Sequence, residues 1–132
     1  MSVARIPIIS LYSNLIVPIQ GTIVDAAIAR LREDVTKRID EESAHGLIID
    51  VSGISMMDSF VTRSIRDLAL TARLMGVHTV VSGLQSQVAI TLVEMGLDIP
   101  GIQTALNLER ALEYLLDLQE QAAGGMDLTD AT

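Results

Sequence analysis

Three groups of side chains in this sequence are equipped for chemistry: carboxylates and hydroxyls between Asp50 and Ser59, hydroxyls at Ser86 and Thr91, and imidazoles at His45 and His78. The first group is the densest. In Met56-Met57-Asp58-Ser59-Phe60 an acid and a hydroxyl stand side by side just ahead of an apolar stripe at helical spacing, so they open a helix. A hydroxyl there faces unpaired backbone N–H groups and the positive end of the helix dipole, a setting that suits a phosphate. Arg63, one turn on, can partner such an anion, whereas Asp58 repels it. On these residues alone a plainer alternative stands beside that one: Asp58 or Ser59 is an N-cap, worth ~1 kcal/mol.

The remaining candidates carry less. Ser86 is placed to cap a helix, and Thr91 lies one turn inside it. Asp50, at a strand end, invites comparison with the phosphoacceptor of receiver domains, but the acidic pair and the later Lys of that pattern are missing, which leaves it a loop hydrogen-bonding role. His45 and His78 have no carboxylates at ligand spacing, so no metal is implied. Gly83 and Gly53 belong to no phosphate-binding glycine pattern, and no cofactor is expected. Nor can a nucleophile, base and oxyanion site be assembled, so the chain does not read as an enzyme. Met56 and Met57 are of a type that adapts to partner surfaces, although Met at a helix entry is also an ordinary core residue.

Elements must hold these residues, and the chain reads as alternating strands and helices. Ile6 to Leu11 and Leu15 to Gln20 are branched-rich runs split by Tyr12-Ser13-Asn14, a hairpin pattern, with Pro7 and Pro18 suited to strand ends or a sheet edge. Thr22 and Asp25 resemble a capping box for a first helix carrying Val24, Ala27, Ile28, Leu31, Val35 and Ile39, which Gly46 stops. Leu47 to Val51 is apolar without alternation, as in a central strand covered on both faces. A second helix from Phe60 places Val61, Ile65, Leu68, Ala72 and Met75 on one stripe and ends at Gly76. Val77 to Ser82 is the next strand. Gln87 to Glu94 is a helix apolar on nearly every side, with Val88, Ala89, Ile90, Leu92, Val93 and then Met95. Ile102 to Leu106 is a final short strand, and Asn107 caps a helix carrying Leu108, Ala111, Leu112, Leu115 and Leu118. The expected architecture is α/β: a mixed, mainly parallel sheet with an N-terminal hairpin and about four helices. The working loops then lie beyond the carboxyl ends of the parallel strands, at 52–59 and 83–86, as neighbours.

Composition excludes several classes. The chain has 132 residues and no cysteine, which fits one domain without disulfides. Residues 1–122 are expected to form it, and 123–132 a mobile tail with nothing to bury. A net charge of −8 and a pI near 4.5 disfavour nucleic acid. With no long apolar segment near Met1 and no run approaching the roughly 20 residues of a membrane span, neither export nor membrane insertion is expected, and cytoplasm is the default. Counting Gly and leaving out Tyr, 72 of the 132 residues are apolar. That share exceeds the roughly 45–50% of an average domain, so some apolar surface is expected to be covered by another subunit.

The segment Ile49-Asp50-Val51-Ser52-Gly53-Ile54-Ser55-Met56-Met57-Asp58-Ser59-Phe60 resembles the signature of STAS domains, where a buried strand ending in Asp leads through a short loop to Asp-Ser or Asp-Thr opening a helix. Val81 to Leu92 is similar to the strand, loop and helix that follow in that family, and the resemblance covers roughly residues 5–120. Among STAS subgroups it looks most similar to the single-domain S-type component of the stressosome, through Met-Asp-Ser-Phe and an expected lack of an N-terminal sensor domain. The resemblance implies an anti-sigma-factor antagonist that holds a GHKL-type serine kinase until Ser59 is phosphorylated, and that a phosphatase resets. It implies Ser86 or Thr91 as a second modified position, and a partner surface at the loops with Met56, Met57, Asp58, Phe60, Arg63 and Gly83. Related STAS proteins in a larger assembly are the other implied partners. Two alternatives remain: a free antagonist that binds an anti-sigma kinase directly, and a mainly structural subunit of a STAS assembly.

Overall fold

The computed structural model describes residues 5–21, 25–94, 96 and 102–131, with side chains to residue 123. Elements follow in the order β1 (Ile9–Leu11), β2 (Asn14–Gln20), α1 (Asp25–Glu42), β3 (Gly46–Gly53), α2 (Ser59–Leu74), β4 (His78–Ser82), α3 (Ser86–Glu94), β5 (Gln103–Ala105) and α4 (Leu108–Ala131). One five-stranded sheet contains them in the spatial order β1-β2-β3-β4-β5. Only β1 is antiparallel; the other neighbours pair in parallel, as the α/β reading requires.

Strand alternation divides the core in two. Leu15, Val17, Ile19, Leu47, Ile49, Val51 and Val81 face one side, where they pack with Ile28, Leu31, Val35, Ile65, Leu68, Val88 and Leu92 from α1, α2 and α3. Ile16, Ile48 and Val80 face the other, against Ala111 and Leu115 of α4. Three crossovers of one hand, each stepping the same way along the sheet, put three helices on the same face. Among the described residues α4 alone covers the second face, and β3, packed on both sides, is apolar without alternation.

The hairpin is tighter than its apolar runs suggest. Tyr12 and Ser13 both have positive φ, 51° and 64°, as in a two-residue I′ connection, and β2 starts at Asn14. β1 is correspondingly short: Ile6 and Ile8 precede it and pack against the larger core, and Pro7 lies outside the strand. Pro18 is inside β2, not at its end, but pairing with β1 stops at Ile16 and the register to β3 shifts between Pro18 and Gln20. At Pro18, β2 therefore behaves as an edge strand that can spare a donor.

Helix ends follow local chemistry. α1 buries Ala27, Ile28, Leu31, Val35 and Ile39 and ends at Glu42, with Ser43 at φ 52°, before Gly46 is reached. Gly46 has another purpose: a Cβ there would lie 2.4 Å from Asn14 Oδ1 and 2.8 Å from Leu115 Cδ1, so only Gly lets β2, β3 and α4 approach this closely. Thr22 and Val24, expected in the first helix and its cap, lie outside the described residues. α2 ends in a Schellman motif, with Val77 N–H donating to Ala72 O and Gly76 N–H to Arg73 O, both at 3.0 Å, and Gly76 at φ 85°. Asn107 Oδ1 accepts from Arg110 N–H at 2.9 Å and caps α4. α4 runs from Leu108 to Ala131, through Gly124-Gly125.

Candidate functional site

β3 delivers the chain to the carboxyl edge of the sheet, and the loop 54–58 returns it to α2. Ile54 and Met57 point into the core at 1% and 6% exposure, which anchors the loop from below. Met56 is 86% exposed and Phe60 44%. The Met pair offered as a partner surface is thus split: Met56 stands in solvent, while Met57 belongs to the larger core cluster, the alternative open to a Met at a helix entry.

Asp58 takes the N-cap position of α2, with φ −79° and ψ 176°. Its Oδ1 accepts from Val61 N–H at 2.7 Å, and its carbonyl accepts from Thr62 N–H at 3.0 Å and Thr62 Oγ1 at 2.9 Å. Ser59 is therefore the first helical residue and not the cap. It is half-buried, and its hydroxyl makes no hydrogen bond among the described residues. Arg63, exposed one turn along, makes no ion pair or hydrogen bond among them either.

The second loop is fastened to the first. Asp50 accepts from Ser82 Oγ at 2.9 Å through Oδ1 and from Ser52 Oγ at 2.8 Å through Oδ2. Gln85 Nε2 donates to Ser52 O at 2.8 Å. Gly83 is buried at φ 79°, donates its N–H to Ala105 O at 3.1 Å, and would place a Cβ 2.7 Å from Ser52 Cβ. Asp50 thus holds loops together, as its strand-end position suggested, and the two loops are neighbours. The contribution of Gln85 was missed; a long amide beside a Gly turn was the available signal.

α3 begins at Ser86 itself, and the backbone carbonyl of Gln85 accepts its first bond from Ala89 N–H at 2.9 Å. Ser86 is thus the first helical residue, exposed, and not a cap one position before the helix. Thr91 is exposed, and its hydroxyl donates back to Gln87 O at 2.8 Å. Along α3, Val88 and Leu92 are buried while Ile90 and Val93 stand 57% and 74% exposed; Met95 lies outside the described residues. His45 and His78 sit at the opposite, amino-terminal edge of the sheet, where His78 N–H donates to His45 O at 3.1 Å. Among the described residues no group of three or more His, Cys, Asp or Glu side chains could hold a metal. No helix there is long and apolar enough to cross a membrane.

Asp50 near the carboxyl end of β3, a loop closed by an Asp58 cap, and a second loop tied back through Ser82 and Gln85 coincide with a family match. The profile of the STAS domain covers residues 5–111. The chain belongs to the STAS-domain family. Its fold superposes on an RsbS variant from Moorella thermoacetica with a TM-score of 0.79 and 37% identity, covering 89% of this chain and 99% of that one. A chain from the stressosome, a structure described as a signal integration and transduction hub, gives 0.77 and 38%, covering 86% and 98%. Among curated proteins, the RsbT co-antagonist protein RsbRA of Bacillus subtilis is 23% identical over 116 residues, 87% of this chain. That alignment takes in 42% of RsbRA, so this STAS chain spans about two fifths of the relative it matches.

Proposed function

We propose that this STAS protein is a phosphorylation-switched regulator of a stressosome-like pathway in the bacterial cytoplasm. Its unmodified form holds a GHKL-type serine kinase, phosphorylation of Ser59 releases that kinase, and a phosphatase resets the cycle. The observation that carries this reading is the division of labour at the start of α2. Asp58 does the capping, so Ser59 has no capping duty to explain it, yet its hydroxyl sits where a helix N-terminus favours an anion. The likeness to RsbS over nearly the whole of both chains supports the same reading.

Phosphate on Ser59 would add about −1.5 to −2 charges beside the Asp58 carboxylate, with Arg63 the nearest cation along the helix. The modification then changes the surface around Met56 and Phe60 more than it tightens the fold. In this role the protein is a binding module and a kinase substrate, without chemistry of its own. Ser86 and Thr91, both exposed on the adjoining helix, are the secondary candidates for modification.

Exposed Ile90 and Val93 support packing of this domain with related STAS proteins in an assembly. Phosphopeptide mapping after incubation with ATP and the GHKL-type serine kinase from the same cells tests the switch. The main phosphate is expected on Ser59, and full labelling of Ser59→Ala would contradict it.

A further inference from the structure

Two exposed helix stripes on opposite faces of the sheet are complementary in charge. On α2, Arg63, Arg66, Leu70 and Leu74 follow one another at helical spacings of three and four, opposite the side that buries Val61, Ile65, Leu68 and Ala72. Leu70 is 38% exposed and Leu74 91%, so the carboxyl-terminal half of the stripe is apolar and uncovered by the described residues. Its one acid, Asp67, lies 3.7 Å from Arg66. On α4, Glu109, Glu113, Leu116 and Glu120 recur with the same spacing, opposite buried Ala111 and Leu115. Leu116 is 36% exposed, and the one base beside this stripe, Arg110, lies 3.4 Å from Glu113. One stripe is basic in its first half and apolar in its second, and the other is acidic around a leucine.

We propose that a second copy of this chain docks through these stripes, α4 of one copy lying along α2 of the next, with Leu116 against Leu70 and Leu74. The inference rests on the assembly reading above and names the contact. Because the stripes lie on opposite faces, each copy offers one of each, so the contact is heterologous and grows beyond a closed pair. A single helix–helix contact is small, so the association is weak and concentration-dependent. The net charge of −8 opposes it at long range, but at ~0.1 M salt such repulsion is screened beyond about 10 Å while charges in contact still act.

Sedimentation of the full chain over a range of concentrations tests the contact with charge reversal. Arg63→Glu with Arg66→Glu makes both stripes acidic, and Glu113→Lys with Glu120→Lys makes both basic. Each reversed protein should associate at least tenfold more weakly than the wild type. An equimolar mixture of the two should recover association, since each then meets the opposite charge, and recovery also shows that both are folded. Leu74→Ser, at a solvent-facing position, should weaken association without altering charge. Association unchanged by these substitutions, or no recovery on mixing, would overturn the α2–α4 contact while leaving the assembly reading standing. A wild-type particle of 14.2 kDa at every concentration, alone and with a related STAS chain, would overturn both.

Discussion

Asp58 and Ser59 are adjacent polar residues at a helix start, and only one of them holds the helix. Asp58→Ala removes the acceptor of Val61 N–H and should cost about 1 kcal/mol in urea unfolding. Ser59→Ala removes a hydroxyl that makes no hydrogen bond among the described residues and should stay within about 0.5 kcal/mol of wild type. The reverse order would make Ser59 structural. Gly83 is the second residue at which local geometry is decisive, since its φ of 79° and the closeness of Ser52 both exclude a side chain. Gly83→Ala should destabilise by about 1–3 kcal/mol and loosen the loop that Asp50 holds, read as faster amide exchange at Ser82 and Gln85.

At the scale of elements, α4 is held by a small cluster, since among the described residues the buried apolar side chains on its face of the sheet are Ile16, Ile48, Val80, Ala111 and Leu115. Leu115→Ala should cost about 2–5 kcal/mol, with near-ultraviolet dichroism or tryptic sensitivity of α4 changing before that of α2. The short β1 is held differently, by a polar clasp. Ser10 Oγ donates to Glu42 Oε1 at 2.5 Å, Arg38 pairs with Glu42 and also donates to Ser10 Oγ at 2.8 Å, and Arg38 reaches Ile8 O at 3.3 Å. The Ser10 hydrogen bond first, and then Arg38, hold the Glu42 carboxyl below its ordinary pKa. A carboxyl depressed on folding stabilises above its ordinary range, and that contribution is lost as pH falls through the depressed value. The stability difference between wild type and Glu42→Gln should therefore be full at neutral pH and shrink on acidification past the glutamate range. A difference that does not change with pH would contradict the clasp.

The elements also show what the sequence could and could not disclose. The apolar run 47–51, the stripe from Val61 to Ala72 and Gly76 each carry a single dominant constraint, and each was legible. The end of α1 was not, because Gly46 looked like a helix stop while its smallness serves the contact with Asn14 and Leu115, residues distant in the chain. Met57 stayed open between core and surface for the same reason: whether a loop Met points in or out is settled by the core beneath it. That α4 alone covers the second face depends on the direction in which successive crossovers step, which no local pattern encodes.

For the whole molecule, one edge of the sheet bears the loops and Ser59, the opposite edge bears His45 and His78, and the two faces present helices of different charge. The proposed switch requires that the kinase be bound against Met56 and Phe60 and expelled when charge enters beside them, since burying a phosphate against apolar groups costs several kcal/mol unless it is paired. The most direct measurement is titration calorimetry of the GHKL-type serine kinase with the unmodified protein, with Ser59→Ala, and with protein enzymatically phosphorylated and verified by mass. The unmodified and Ser59→Ala proteins should bind alike, and the phosphorylated protein at least tenfold more weakly, a difference of about 1.4 kcal/mol or more. Equal affinity in all three would contradict the account.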